Sequence, residues 1–127
     1  MLASCDKSTT EEEIITPNIP PVNPEQPKKT KEVFVWVDTE ANLSKFTTTE
    51  GIEKYMKKIK DTGFTGIYLN VKPGNGCALY KSNTLPKLTV YGTYPYNVNF
   101  DYLTEFLKYG EKYNIDVYAA VDAVGYG

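Results

Sequence analysis

Residues 66–71, Gly66-Ile67-Tyr68-Leu69-Asn70-Val71, are the stretch from which the fold can be worked out. A short run rich in apolar, β-branched and aromatic residues is typical of a β-strand. Gly63 lies just before it and is suited to ending a helix in the left-handed conformation. This part of the chain therefore predicts a helix that leads directly into a strand.

The segment upstream of Gly63 has the signals of an amphipathic helix. Thr47 and Glu50 have the spacing of a capping box, with Thr47 as the N-cap. Apolar residues then recur at helical spacing, which predicts one buried face; they are Ile52, Tyr55, Met56 and Ile59. Before this helix, Val33-Phe34-Val35-Trp36-Val37 predicts a first strand buried on both faces, followed by a polar loop at 38–43.

The alternation of strand and helix continues downstream of residue 71. A long segment at 72–98 leads to a second helix, for which Asn99 or Asp101 is a suitable N-cap and Asn114 a suitable stop. Its predicted apolar stripe consists of Leu103, Phe106 and Leu107. Residues 116–121 then predict a third strand.

The order β-α-β-α-β predicts an α/β fold with a parallel sheet and right-handed crossovers. Two helices cover one face, so we expect the other to expose aliphatic residues, namely Val35, Val37, Leu69 and Val71. A (β/α)₈ TIM-type barrel takes roughly 250 residues. We therefore predict the first three strands of a truncated barrel. The alternative is a complete three-strand α/β module, dimeric or folding on its own.

Composition excludes several classes of function. All 14 basic residues are lysines and histidine is absent. Without arginine there is no guanidinium fork for phosphates or base edges, which disfavours nucleic acid as a partner. Without histidine the usual imidazole base and the commonest zinc ligand are missing, so we predict no metal site and no cofactor.

The N-terminal residues predict a membrane anchor. Leu2-Ala3-Ser4-Cys5 resembles the processing site of bacterial lipoproteins, in which the cysteine carries the lipid. Five prolines between Pro17 and Pro27 favour an extended spacer. We predict a lipobox and disordered tether at 1–31, a globular domain at 32–127, and a lipid-anchored location in the bacterial envelope, at the outer membrane or cell surface. A leader peptide is then expected upstream of Met1.

Three segments carry a resemblance to a known family: Val35-Trp36-Val37-Asp38, the run from Asn70 to Ser82, and the run from Asn99 to Ala119. They resemble the N-terminal part of the glycosyl hydrolase-like family 10 proteins, which are bacterial barrels. Lys72 stands where that family usually has arginine, and Cys77 where it tends to have aspartate. The resemblance implies hydrolysis of O-glycosidic bonds in a cell-surface or dietary polysaccharide, with carboxylates as acid and base.

Barrel active sites lie at the carboxyl ends of the strands. Asp38 and Asp122 directly follow predicted strands and are the candidate catalytic pair, although both are also suited to capping a loop or helix. The candidate substrate-binding residues lie in the same loops, and their tyrosines suit stacking on sugar rings or packing onto the rim; they are Asn42, Asn70, Lys72, Tyr80, Tyr94 and Tyr96. We expect no catalysis by the isolated chain. The competing function is a non-catalytic carbohydrate-binding lipoprotein that uses the tyrosine-rich loop.

Overall fold

The computed structural model describes residues 31–123. In chain order the elements are β1 (Phe34–Val37), α1 (Thr39–Asn42), a 3₁₀ turn (Leu43–Lys45), α2 (Thr49–Asp61), β2 (Gly66–Lys72), β3 (Val90–Tyr91), β4 (Tyr94–Pro95), α3 (Tyr102–Tyr113) and β5 (Asp116–Val121). The lipidation site predicted at Cys5 and the tether predicted at 1–31 fall outside the described residues, except for Lys31.

Strand β2 lies at the centre of a three-stranded parallel sheet in the order β1-β2-β5. Its pairing with both neighbours is regular as far as Asn70, so that Val37, Leu69 and Ala119 lie side by side across the sheet. This arrangement confirms the predicted α/β fold and the parallel β-α-β-α-β order. The segment predicted as a polar loop at 38–43 instead folds into α1 and the start of the 3₁₀ turn.

The covered face of the sheet carries the aliphatic residues. Val37, Leu69 and Val71 are fully buried there, and Val35 packs against the same core. The prediction that these four residues occupy the uncovered face was wrong. Successive side chains of a strand point to opposite faces, and the helices pack on the more aliphatic one because it buries without leaving polar groups unpaired.

The open face of the sheet, which no helix covers in the described residues, is aromatic. Phe34 lies across Gly66, with its ring centroid 5.4 Å from that of Tyr68 and 5.6 Å from that of Tyr118. Trp36 also lies on this face and is 57% exposed. The composition of β1 predicted a strand buried on both faces, and this prediction was wrong.

Helices α2 and α3 pack against each other and against the covered face. The stripe predicted on α2 is confirmed, with Ile52, Met56 and Ile59 buried. Its N-cap is Thr48 rather than Thr47, since the Thr48 hydroxyl accepts a hydrogen bond from the Gly51 N–H at 3.0 Å. Gly63, with φ of 93°, follows the end of the helix as expected.

The stripe predicted on α3 is confirmed for Phe106, which is buried, and for Leu103, which packs against the core, but was wrong for Leu107. Tyr102, Phe106 and Tyr109 face the core, whereas Leu107 is 48% exposed. Its predicted termini are confirmed: Asp101 is the N-cap, and Asn114 ends the helix with φ of 53°. None of the helices within residues 31–123 has both the length and the apolar character needed to cross a bilayer.

Gly66 is a point of close approach between β1 and β2. A Cβ atom at this position would lie 2.7 Å from Phe34 Cζ and closer still to Cε1 of that ring. We expect Gly66→Ala to lower the free energy of unfolding by about 1–3 kcal/mol, because the Phe34 ring would have to move. Urea denaturation measures this change.

The matched control is Gly66→Ala combined with Phe34→Leu. A smaller side chain at position 34 leaves room for the methyl group, so the double variant should lose less than the sum of the two single changes. Additive losses, or a Gly66→Ala protein as stable as the wild type, would contradict the steric account.

Candidate functional site

The carboxyl ends of β1, β2 and β5 meet at one edge of the sheet and enclose a shallow cavity. Its volume is about 170 Å³ and its lining residues are Trp36, Asn70, Val121 and Asp122. Parallel strands bring their carboxyl ends to the same edge, so residues far apart in sequence become neighbours. Of the predicted site residues, Asn70 and Asp122 line this cavity, whereas Asp38, Asn42 and the three tyrosines do not.

Lys72 is hydrogen-bonded to Asp122 at the rim of the cavity. Its ammonium group donates a hydrogen bond to the Asp122 carbonyl oxygen at 2.6 Å, and the Asp122 N–H donates to the Lys72 carbonyl at 3.1 Å. These contacts join the ends of β2 and β5. The predicted cation at the end of the second strand is therefore next to Asp122, bound to its backbone rather than to its carboxylate.

Asn70 lies at an irregularity in the pairing of β2 with β5, between residues 70 and 72. Its side-chain oxygen accepts a hydrogen bond from the Lys72 N–H at 3.2 Å. Its carbonyl oxygen accepts one from the hydroxyl of the buried Thr39, which also contacts the Tyr102 hydroxyl at 2.8 Å. Because the side-chain oxygen and the carbonyl oxygen of Asn70 both accept hydrogen bonds, its amide group has a defined orientation beside the cavity.

The Asp122 side chain is exposed, and no hydrogen-bond donor within residues 31–123 contacts its carboxylate. A Cβ atom on Gly74 would lie 3.5 Å from Asp122 Oδ2, so the loop after β2 passes close to this group. The cavity thus combines one exposed indole, one oriented amide and one carboxylate.

Asp38 and Asn42 make local contacts at helix α1. The Asp38 carboxylate caps the helix by accepting the Ala41 N–H at 3.3 Å, while Asn42 donates to the Asp38 carbonyl at 2.7 Å. Lys45 in turn donates to the Asn42 side-chain oxygen at 2.6 Å. Asp38 therefore has the helix-capping geometry that was the alternative to a catalytic role, and the catalytic role stays a prediction.

The tyrosines of the long loop are in different environments. Tyr96 is 1% exposed and donates its hydroxyl hydrogen to the Phe46 carbonyl at 3.0 Å; burial raises its pKa. A ring so deeply buried offers no face to a ligand. Tyr91 donates to Glu40 at 2.6 Å, and this bond raises the pKa of Tyr91. Tyr94 is exposed on the β3–β4 hairpin, and Tyr80 is half-buried beside a second cavity.

Trp36 and Val121 are the cavity residues that the sequence did not predict. A strand predicted to be buried on both faces places the Trp36 side chain in the core. The alternation of Val35, Trp36 and Val37 contains the signal that separates the two faces, because the aliphatic residues flank the indole.

Cys77 is a partly buried free thiol, and its N–H donates to the Asn75 side-chain oxygen at 3.1 Å. Within residues 31–123, no three His, Cys, Asp or Glu side chains are grouped so that they could hold a metal ion. The cavity itself presents the indole of Trp36, the amide of Asn70 and the carboxylate of Asp122, with the Lys72 ammonium bound to the Asp122 carbonyl oxygen.

A second cavity of about 290 Å³ lies between the long loop and the start of α3, with Tyr80 and Asp101 among its lining residues. The Asp101 carboxylate accepts the Thr104 N–H at 2.8 Å and also the Lys81 N–H. Burial raises the pKa of Asp101, whereas the hydrogen bonds from Thr104 and Lys81 lower it. The hydrogen bonds have the larger combined effect, so the pKa lies below the ordinary value of 3.8. The ionised carboxylate joins the loop to the helix.

We expect Asp101→Ala to lower the free energy of unfolding by about 1 kcal/mol at pH 7. A carboxylate with a lowered pKa stabilises the fold above its unfolded pKa of 3.8, and this stabilisation is lost as the pH falls through the folded value. The loss caused by the substitution should therefore be smaller at pH 2.5, as measured by thermal or urea unfolding at both pH values.

The charge control for this prediction is Asp101→Asn, which retains an N-capping side chain but cannot ionise. Its stability should exceed that of Asp101→Ala and should change less between pH 5 and pH 2.5 than that of the wild type. Equal losses for Asp101→Ala at both pH values would show that the ionised form carries no special stabilisation.

Comparison with known proteins gives one informative relationship. No family model matches the chain. The chain is similar to an S-layer-related protein of Niallia circulans, with 27% identity over 103 residues that cover 76% of this chain. The chain spans only 6% of the length of that protein. The similarity thus concerns one segment of a much longer polypeptide.

Proposed function

We propose that this chain binds a carbohydrate at the carboxyl edge of its sheet. The observation that carries this proposal is the exposed Trp36 in a cavity with Asn70 and Asp122. An indole offers a flat apolar face to a sugar ring, while amide and carboxylate groups hydrogen-bond sugar hydroxyls. Because the Asn70 amide is oriented by bonds within the protein, little side-chain order has to be gained on binding.

We propose that the sheet belongs to a barrel. Strands β1, β2 and β5 follow one another across the sheet in chain order, and both long helices pack on the same face. Right-handed crossovers that add strands in one direction give this arrangement both in a (β/α)₈ barrel and in one half of a doubly wound fold. The resemblance of three segments to a barrel family favours the barrel, in which the open face, with Phe34, Tyr68 and Tyr118, lines the interior.

Glycoside hydrolysis is the second candidate function. It is favoured by the Asp122 carboxylate, which is free of donors within residues 31–123 and lies at the cavity. Hydrolysis takes two carboxylates, and the Asp38 carboxylate caps α1 while that of Glu40 is bound to Tyr91. The described residues therefore supply the groups for binding more completely than those for hydrolysis.

We propose a location at the bacterial cell surface. The support is the similarity to an S-layer-related protein. Lipid attachment at Cys5 is part of the same proposal and rests on the sequence Leu2-Ala3-Ser4-Cys5.

The single tryptophan of the chain makes the binding test direct. The intact protein is titrated in turn with β-linked oligosaccharides of glucose, mannose and N-acetylglucosamine. We expect at least one of them to shift the fluorescence emission of Trp36 to shorter wavelength. Calorimetry with that sugar should show at least about a tenfold weaker affinity for Trp36→Ala, since the stacking face is removed.

The matched control is Leu107→Ala, which removes an exposed apolar side chain from α3 and should leave the affinity unchanged. Asp122→Asn separates the two candidate functions. Release of reducing sugar by the wild-type protein that this variant abolishes would favour hydrolysis, whereas for binding alone the variant should only weaken the affinity, since its amide still hydrogen-bonds sugar hydroxyls. Unchanged emission and no heat of binding with all three sugar classes would exclude glycan recognition by Trp36.

A further inference from the structure

A cleft of about 420 Å³ lies between the 3₁₀ turn and α2, and its lining is strongly basic. Lys45, Lys54 and Lys58 supply three of its five lining residues, with Gly51 and Tyr55 as the others. No acidic residue is among them. On a chain with a net charge of −2, this is a local concentration of positive charge.

The lysines of the cleft differ from three of the four other lysines on α2 and α3, the exception being Lys60. Lys57, Lys108 and Lys112 each form an ion pair with a carboxylate. Within residues 31–123, no carboxylate lies within ion-pair distance of Lys54 or Lys58, and Lys45 contacts only the neutral side chain of Asn42. Glu50 precedes Lys54 by one helical turn but does not pair with it.

Lys54 and Lys58 are also one turn apart on α2, a spacing at which like charges repel. The helix therefore keeps two adjacent ammonium groups without neutralising either inside the described chain. An anion that contacts both removes this repulsion as it binds, which adds to the direct attraction.

The walls of the cleft are held by tight packing. A Cβ atom at Gly51 would overlap the Lys45 carbonyl oxygen, so glycine lets the 3₁₀ turn approach the first turn of α2. The Tyr55 ring is half-buried and packs edge-on against Phe46, with centroids 5.0 Å apart and the planes at 87°. The cleft thus combines a fixed aromatic wall with three exposed lysines.

We infer that this cleft binds an acidic polysaccharide, one whose sugar residues carry carboxylate or phosphate groups. Ammonium groups bind such anions as point charges, and the Tyr55 ring offers an apolar surface to the sugar ring between them. This site is separate from the cavity of Trp36, and the inference does not rest on the proposed function there.

The test uses oligogalacturonate as the probe, with the intact protein at low and at physiological salt. Calorimetry should show binding that weakens as salt is added, because exposed charges are screened. The methyl ester of the same oligosaccharide keeps the sugar but not the charge, and poly-L-glutamate keeps the charge but not the sugar. The ester should not bind, and the polypeptide should bind more weakly than oligogalacturonate.

The variant Lys54→Gln/Lys58→Gln should weaken binding of oligogalacturonate about tenfold, corresponding to the loss of two solvent-exposed ion contacts. Both side chains are exposed, so the fold should be retained. The control Lys57→Gln/Lys60→Gln removes the same charge from the same helix outside the cleft and should change the affinity by less than about twofold.

Equal weakening by the two double variants would show attraction to general charge and would overturn the inference. So would equal binding of poly-L-glutamate, equal binding of the methyl ester, or no binding of oligogalacturonate at low salt. If neutral sugars do not bind at Trp36, the outcomes expected for the cleft are unchanged. The two sites are therefore tested independently.

Discussion

Strand β2 is the constraint on which the remaining structure depends. It pairs in parallel with β1 on one side and β5 on the other, so its alternation defines two faces for the whole sheet. Ile67, Leu69 and Val71 face the helices, while Tyr68 and Asn70 face the other way. A shift of the pairing by one residue would exchange these faces and expose the aliphatic core, which makes the register strongly specified.

The link between this sheet and the helices includes one buried polar contact. The Thr39 hydroxyl, fully buried at the start of α1, bonds both the Asn70 carbonyl of β2 and the Tyr102 hydroxyl of α3. Buried hydroxyl groups are costly unless they are hydrogen-bonded, and among the described residues no buried side-chain polar atom lacks a partner. This contact joins three elements next to the Asn70 amide, so the cavity at the sheet edge is built on a rigid base.

The two proposed sites differ in their physical character. The cavity at Trp36 presents an indole, an oriented amide and one carboxylate, which suits neutral hydroxyl-bearing ligands. The cleft at α2 presents three ammonium groups and a tyrosine ring, which suits anions. Both use an aromatic side chain beside polar groups, but the second depends on charge and is therefore sensitive to salt.

Local signals in the sequence determined the three strands of the parallel sheet and the two long helices, but not α1, β3 or β4. Gly63 and Asn114 end helices because they adopt the left-handed conformation, and the apolar runs predicted at 66–71 and 116–121 correspond closely to β2 and β5. Only the tertiary structure decided which face of the sheet the helices cover, since that depends on contacts between residues distant in sequence. The same contacts buried Tyr96, left Leu107 exposed, and brought Trp36 to Asn70 and Asp122. The composition of a strand or loop does not contain this information, because burial is a property of the partners that pack against it.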